Sequence, residues 1–190
     1  GDAQILEQFA ADPSKLSVEE MVYGANKLVK DDATRQKWNE AIAKQYPSDY
    51  RALNNMAQQA ISKGDMAAAQ NYLKQAANVN KNASEVNTNL ALMALKSGDV
   101  AKAETYLSKG TGSDTFKEVM GNLNIAKGNY TQAASDLAGV NTNSAALAQI
   151  LAKDYTSAKT TLSKIKKADA TTSYLQAVLA ARTGDANALS

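Results

Sequence analysis

The sequence predicts an all-α fold built from stacked antiparallel helix pairs. Three observations carry this. The first is self-similarity: Gly64-Asp65-Met66-Ala67-Ala68-Ala69-Gln70-Asn71-Tyr72-Leu73 returns 34 residues later as Gly98-Asp99-Val100-Ala101-Lys102-Ala103-Glu104-Thr105-Tyr106-Leu107. It returns again from Gly128 to Leu137, in damaged form from Lys153 to Leu162, and its opening is visible at Gly184-Asp185-Ala186. Self-similarity of this kind marks an array in which each unit packs on its neighbours. The second is helical spacing: Ala69, Tyr72, Leu73 and Ala76 recur at i, i+3, i+4 and i+7. The third is the scarcity of helix breakers, since Pro13 and Pro47 are the only prolines.

The elements follow in order. Residues 2–16 read as a lead-in, with Asp2 capping a short helix that carries Ile5, Leu6 and Phe9 and stops at Pro13. Such a segment would cover the first apolar stripe, because arrays need capped ends. Ser17 with Glu20 forms a capping box that opens the first unit. Aligning the Gly-Asp turns then places units at 17–49, 50–83, 84–113, 114–138, 139–169 and an incomplete 170–190. In each unit a first helix ends at a glycine able to take the left-handed conformation, and the next residue caps the second helix. Gly64, Gly98, Gly128 and Gly184 supply the former, and Asp65, Asp99, Asn129 and Asp185 the latter. Lys30-Asp31 and Lys153-Asp154 lack the glycine, so those turns are expected to be less ideal. Gly139 should cut the preceding helix to about two turns.

The first unit departs from the pattern. One period back from Tyr72 stands Trp38, which fits, but Asn39 falls on Leu73 and Arg35 on Ala69. Trp38, Ala41 and Ile42 still form a stripe, so a small shift of frame is expected here. Trp38 reads as a core residue, with ligand stacking as the alternative.

The small residues Ala57, Ala91, Gly121, Ala146 and Ala177 in the first helices, Ala69, Ala103, Ala133 and Ala158 in the second, and Leu73, Leu107, Leu137 and Leu162 four residues later resemble the tetratricopeptide repeat. The resemblance covers residues 17–190 and implies a right-handed α-solenoid with a concave face drawn largely from the first helices. The family's usual Trp is absent from the first helices, its closing Pro appears only as Pro47, and the later turns fall 30, 25 and 31 residues apart. An irregular superhelix is the expectation there. The stretch from Ala3 to Met21 is also similar to repeat segments attached to OmpA-like outer-membrane proteins. That likeness implies only an envelope, periplasm-facing location, since the peptidoglycan-binding module is not in this chain.

Composition narrows the chemistry. Apolar residues make up 44% of the chain and aromatics 6%, so the core must be built mainly from Ala, Leu, Met, Val and Ile. There is no Cys and no His, which excludes disulfides, Cys/His zinc sites and thiol or imidazole catalysis. The adjacent carboxylates Glu19-Glu20 point about 100° apart on a helix, and Asp31-Asp32 sits at a turn where capping explains it. No phosphate loop or nucleophile–base arrangement is recognisable. The chain therefore reads as non-catalytic, with no cofactor and no metal. The net charge of +2 is scattered, and its densest cluster, Lys164, Lys166 and Lys167, reads as a solvated helix end. Nucleic acid is not expected as a partner. No stretch approaches the ~18 apolar residues of a membrane span. Gly1 reads as an added residue with any signal segment already removed, and Ser190 as the end of a fragment.

The expected partner is a protein or peptide segment, or another domain of the same full-length protein. Carried over from the family's ligand-facing positions, the binding face is Arg51, Asn54, Asn55 and Gln58 in the second unit, and Glu85, Thr88 and Asn89, with Leu92 beyond, in the third. Glu118, Asn122 and Asn143 continue it. Asn and Gln supply both donors and an acceptor, which suits an extended backbone. The family's carboxylate clamp is not met, because Asn54, Gln58, Thr115 and Val119 stand where it needs other residues. Truncating Asn54 and Asn89 together is expected to weaken peptide binding without moving the thermal melt. Two alternatives stay open: a spacer with no groove ligand, and a glycan or peptidoglycan module, for which Tyr174 is the one aromatic placed near the inner face.

Overall fold

A computed structural model describes residues 1–184. Asp185, Ala186 and Ser190, and with them the last capping residue and the end of the sixth unit, lie outside the described residues. The chain is all-helical, and among the described residues no strand occurs. It divides into two compact units, Gly1–Met93 and Ala94–Ser190.

The first unit opens with α1 (Asp2–Ala11), a 3₁₀ turn at Pro13–Lys15, α2 (Val18–Tyr23) and one π turn at Gly24–Leu28. Next come α3 (Asp32–Gln45), α4 (Tyr50–Ser62), α5 (Met66–Val79) and the start of α6 (Ser84–Lys96). The capping box of Ser17 and Glu20 is present in both directions, at 3.1 and 3.0 Å. Asp2 lies inside the first turn of α1, with Gly1 at the cap position. Asp12 ends α1 and accepts from the Ser14 amide, so Pro13 opens the 3₁₀ turn rather than merely stopping a helix. Ile5 and Phe9 pack on the cluster of Leu16, Val18, Met21, Ala25, Trp38 and Ile42. The Phe9 ring stacks on Trp38 with centroids 3.8 Å apart and planes within 6°. A Cβ on Gly24 would collide with the six-membered ring of the indole. Trp38 is therefore a core residue, packed against α1 and the π turn.

The expected frame shift in α3 does not occur. Asp31 caps α3 through the Thr34 amide as Asp65 caps α5 through Ala68, so the one-period register holds. Asn39 then occupies the place of Leu73 and is buried. Arg35 occupies the place of Ala69, where its guanidinium donates to the carbonyls of Ala25 at 3.1 Å and Val29 at 2.8 Å. Both carbonyls belong to the π turn and its exit. A π turn leaves acceptors that an α-helix would use, and a long donor side chain replaces a small packing residue to meet them.

The second unit holds α7 (Val100–Leu107), α8 (Asp114–Ala126), α9 (Tyr130–Leu137), α10 (Thr142–Leu151), α11 (Tyr155–Ser163) and α12 (Ala170–Thr183). Each packs on its successor, and α10 also touches α12, first helix against first helix. Gly98, Gly128 and Gly184 take φ of 82, 80 and 71°, as the turn requires. Lys153 adopts the same conformation without being glycine, at φ 63°. Asp99 and Asp154 cap as expected, at 3.0 and 3.2 Å. Asn129 does not accept a capping bond, because its amide points back to Asn124. Helix α9 ends at Leu137, two residues before Gly139. Gly110 lies beyond the end of α7, where a Cβ would strike the Phe116 ring at 2.5 Å.

Within the hairpins the small-against-large rule is literal. Ala103, Ala133, Ala146 and Ala158 are fully buried, as is Leu137. A Cβ on Gly121 of α8 would sit 2.4 Å from Cγ of Leu137 in α9. Only a bare backbone lets that leucine seat.

Candidate functional site

The candidate face is assembled on α4 and α6 in the first unit. Asp49 caps α4 through the Arg51 amide at 2.8 Å, which fixes where the helix starts and which residues share a face. Arg51 then folds back. Its Nε and Nη2 donate to the two Asp49 oxygens at 3.0 and 2.8 Å, and its Nη1 reaches Glu19 of α2 at 2.7 Å. The guanidinium also lies 5.2 Å from the Tyr50 ring centroid. The paired guanidinium holds the Asp49 carboxyl below the usual carboxylate range. Glu19 is lowered as well, first by its own backbone N–H and then by Arg51. The two carboxylates push the guanidinium further up, Asp49 being the stronger.

The asparagines behave differently from a solvated, ligand-facing row. Asn54, Asn55 and Asn89 are all buried. Asn89 Nδ2 donates to Asn54 Oδ1 at 2.8 Å, joining α6 to α4. Asn55 forms a reciprocal amide pair with Asn26 of the π turn at 3.2 and 3.3 Å, and donates to Asn39 of α3 at 3.1 Å. Asn39 passes the chain on to Gln59 at 3.2 Å. Burial without partners would cost each amide dearly, so the network accounts for the polar residues at these depths. It also changes what truncation does: removing Asn54 or Asn89 strands a buried amide, so the melt is expected to move. Thr88, beside Asn89, is buried with its hydroxyl lacking a hydrogen-bond partner among the described residues.

Gln58 is half-buried and its side-chain amide takes no part in that network; Glu85 is exposed and Leu92 half-buried. In the second unit Asn122 is half-buried, Glu118 accepts from Asn141 at 3.1 Å, and Asn143 binds Asp169 and Thr172. Sequence reasoning missed Asn26, Asn39 and Gln59. The misfit of Asn39 at a leucine position was the signal that a polar partner had to lie opposite. Tyr174 is 67% exposed on α12.

Residues 60–119 match the family model described as tetratricopeptide repeat. The fold is a tetratricopeptide-repeat fold. Among solved structures, PilW, described as a widely conserved type IV pilus biogenesis factor, is similar with a TM-score of 0.67 at 16% identity. That likeness spans 99% of this chain and 86% of the other. A tetratricopeptide repeat protein from Parabacteroides merdae ATCC 43184 is similar with a TM-score of 0.61 at 12% identity, over 99% and 81% of the two chains. At these identities the likeness is one of fold. No curated protein matches the sequence. Among the described residues, no helix is long and apolar enough to cross a membrane. No group of three or more acidic, His or Cys side chains among them is placed to hold a metal ion.

Proposed function

We propose that the chain is a non-catalytic protein-interaction scaffold, a capped array in which residues 2–16 cover repeats running from 17 to 190. In this reading a partner segment lies along the first-helix face of the first unit, contacted by Arg51 and Gln58, with Asn54, Asn55 and Asn89 holding the helices beneath, and Asn122 marks a first-helix face of the second unit. The carrying observation is the Asn54–Asn89 bond between α4 and α6. Successive first helices tied side by side form a preorganised surface, which lowers the cost of binding. The family likeness supports a protein as partner.

The test is direct. An array of extended peptides is screened against the immobilised chain, and hits are titrated against wild type, Gln58→Ala and Asn122→Ala. Loss of one neutral hydrogen bond predicts binding about 2–10-fold weaker, with the melt unchanged. Equal affinity in both variants removes the groove.

We place the protein in the bacterial envelope, facing the periplasm, in or beside an assembly apparatus. The likeness of fold to a type IV pilus biogenesis factor supports this. Fractionation of the source cells checks it, and recovery with cytoplasmic proteins would exclude it. The spacer reading has one observation in its favour: Asn54, Asn55 and Asn89 satisfy one another or nearby amides rather than awaiting a ligand. A screen that yields no peptide would favour it.

A further inference from the structure

The loop between α11 and α12 in the second unit carries Lys164, Lys166 and Lys167, all exposed. It is a fixed display. Ile165 turns inward against the cluster of Ala146, Ile150, Ala158, Leu162, Leu175 and Leu179. The amides of Lys164 and Ile165 bond back to the carbonyls of Thr161 and Leu162, each at 3.2 Å. At the other end Asp169 accepts from the Thr172 amide at 2.9 Å, from its hydroxyl at 3.0 Å and from Asn143 at 3.4 Å. With Ile165 pointed in, the flanking lysines must point out. None of the three ammonium groups forms an ion pair among the described residues. The one carboxylate of the loop, Asp169, is engaged as the helix cap. About one turn into α12 stands Tyr174, 67% exposed.

We propose that this loop, with Tyr174, docks the second unit onto an anionic lipid bilayer. The chemistry favours a diffuse anionic surface over a shaped ligand. All three cations are lysines, point charges on flexible stems, whereas planar carboxylate or phosphate recognition uses the guanidinium fork. Lysine stems and a tyrosine ring suit a headgroup layer, where the apolar part sinks and the polar tip stays wet. Each lysine near an anionic surface contributes a gain that compounds with its neighbours. This proposal is independent of the peptide groove.

The experiment is flotation of the full chain with vesicles of phosphatidylcholine alone, or with a third of the lipid replaced by phosphatidylglycerol. Binding is expected to the anionic vesicles only, and to vanish at high salt as screening shortens the field. The triple variant K164Q/K166Q/K167Q is expected to lose about a hundredfold in partitioning. A control triple, K63Q/K74Q/K81Q, removes the same charge from exposed lysines elsewhere and is expected to bind like wild type. Three outcomes would overturn the proposal: no retention by anionic vesicles, equal loss in the two triple variants, or displacement from vesicles by duplex DNA or an acidic peptide that the loop prefers.

Discussion

Asn89 in α6 donates its side-chain amide to the side-chain oxygen of Asn54 in α4 across 2.8 Å, and both residues are buried. They stand 35 residues apart, one more than the 34-residue repeat, so the bond joins neighbouring rather than identical positions of successive first helices. Asn54→Ala or Asn89→Ala leaves the other amide buried and unpaired, at a cost of about 1–3 kcal/mol. The double variant should cost less than the sum of the singles, because the second truncation removes the stranded partner. Urea denaturation of the four proteins gives the coupling directly, and strict additivity would mean the two side chains do not interact.

Thr88 offers the opposite change. Its buried hydroxyl has no hydrogen-bond partner among the described residues. Thr88→Val removes the desolvated oxygen with little change of shape, and is expected to stabilise by about 1 kcal/mol. A lower melting temperature would indicate that the hydroxyl is satisfied in solution.

Gly121 tests the packing rule. With Leu137 Cγ at 2.4 Å from the site of a Cβ, Gly121→Ala must push α8 and α9 apart or drive the leucine from its rotamer. The expected loss is about 1–3 kcal/mol, seen as a lower midpoint in thermal melting. Adding Leu137→Ala should cost less in the Gly121→Ala background than in wild type.

The turn at Lys153 is the strained copy of the glycine turns. Its φ of 63° is one that glycine adopts freely and lysine does not. Lys153→Gly should therefore stabilise by about 1 kcal/mol, while Gly98→Val, at φ 82°, should destabilise by a similar amount or more. Comparing the two melts checks the geometry of the turn.

Acid should remove the contribution of Asp49. Folding lowers its pKa through the Arg51 bonds, so its stabilising contribution is complete above the ordinary carboxylate range of about 4. It is lost as the pH falls from there through the lower folded value. Wild type and Asp49→Asn should thus converge in stability below about pH 4, with wild type ahead at neutral pH. A constant gap across that range would show that the carboxylate charge is not what matters.

The hairpin scheme was legible because it rests on local signals. Gly64, Gly98 and Gly128 announce left-handed turns, Asp65 and Asp99 announce caps, and the alanine-to-leucine spacing gives the packing stripe. The first unit was harder because its logic is not local. Arg35 makes sense only once the π turn at Gly24–Leu28 presents its carbonyls, and nothing in those residues announces a π turn. Asn39 makes sense only beside Asn55 and Gln59, which sit on another helix. On the candidate face, residue type suggested amides open to a ligand. Depth, which depends on how neighbouring helices close over them, placed Asn54, Asn55 and Asn89 inside.

Trp38, packed against Phe9 and Gly24, is the chain's single tryptophan. Its emission is an optical probe of the N-terminal unit alone, while far-ultraviolet ellipticity sums the helices of both. Recording the two signals in one titration would reveal whether the units melt together or in sequence, without any label being attached.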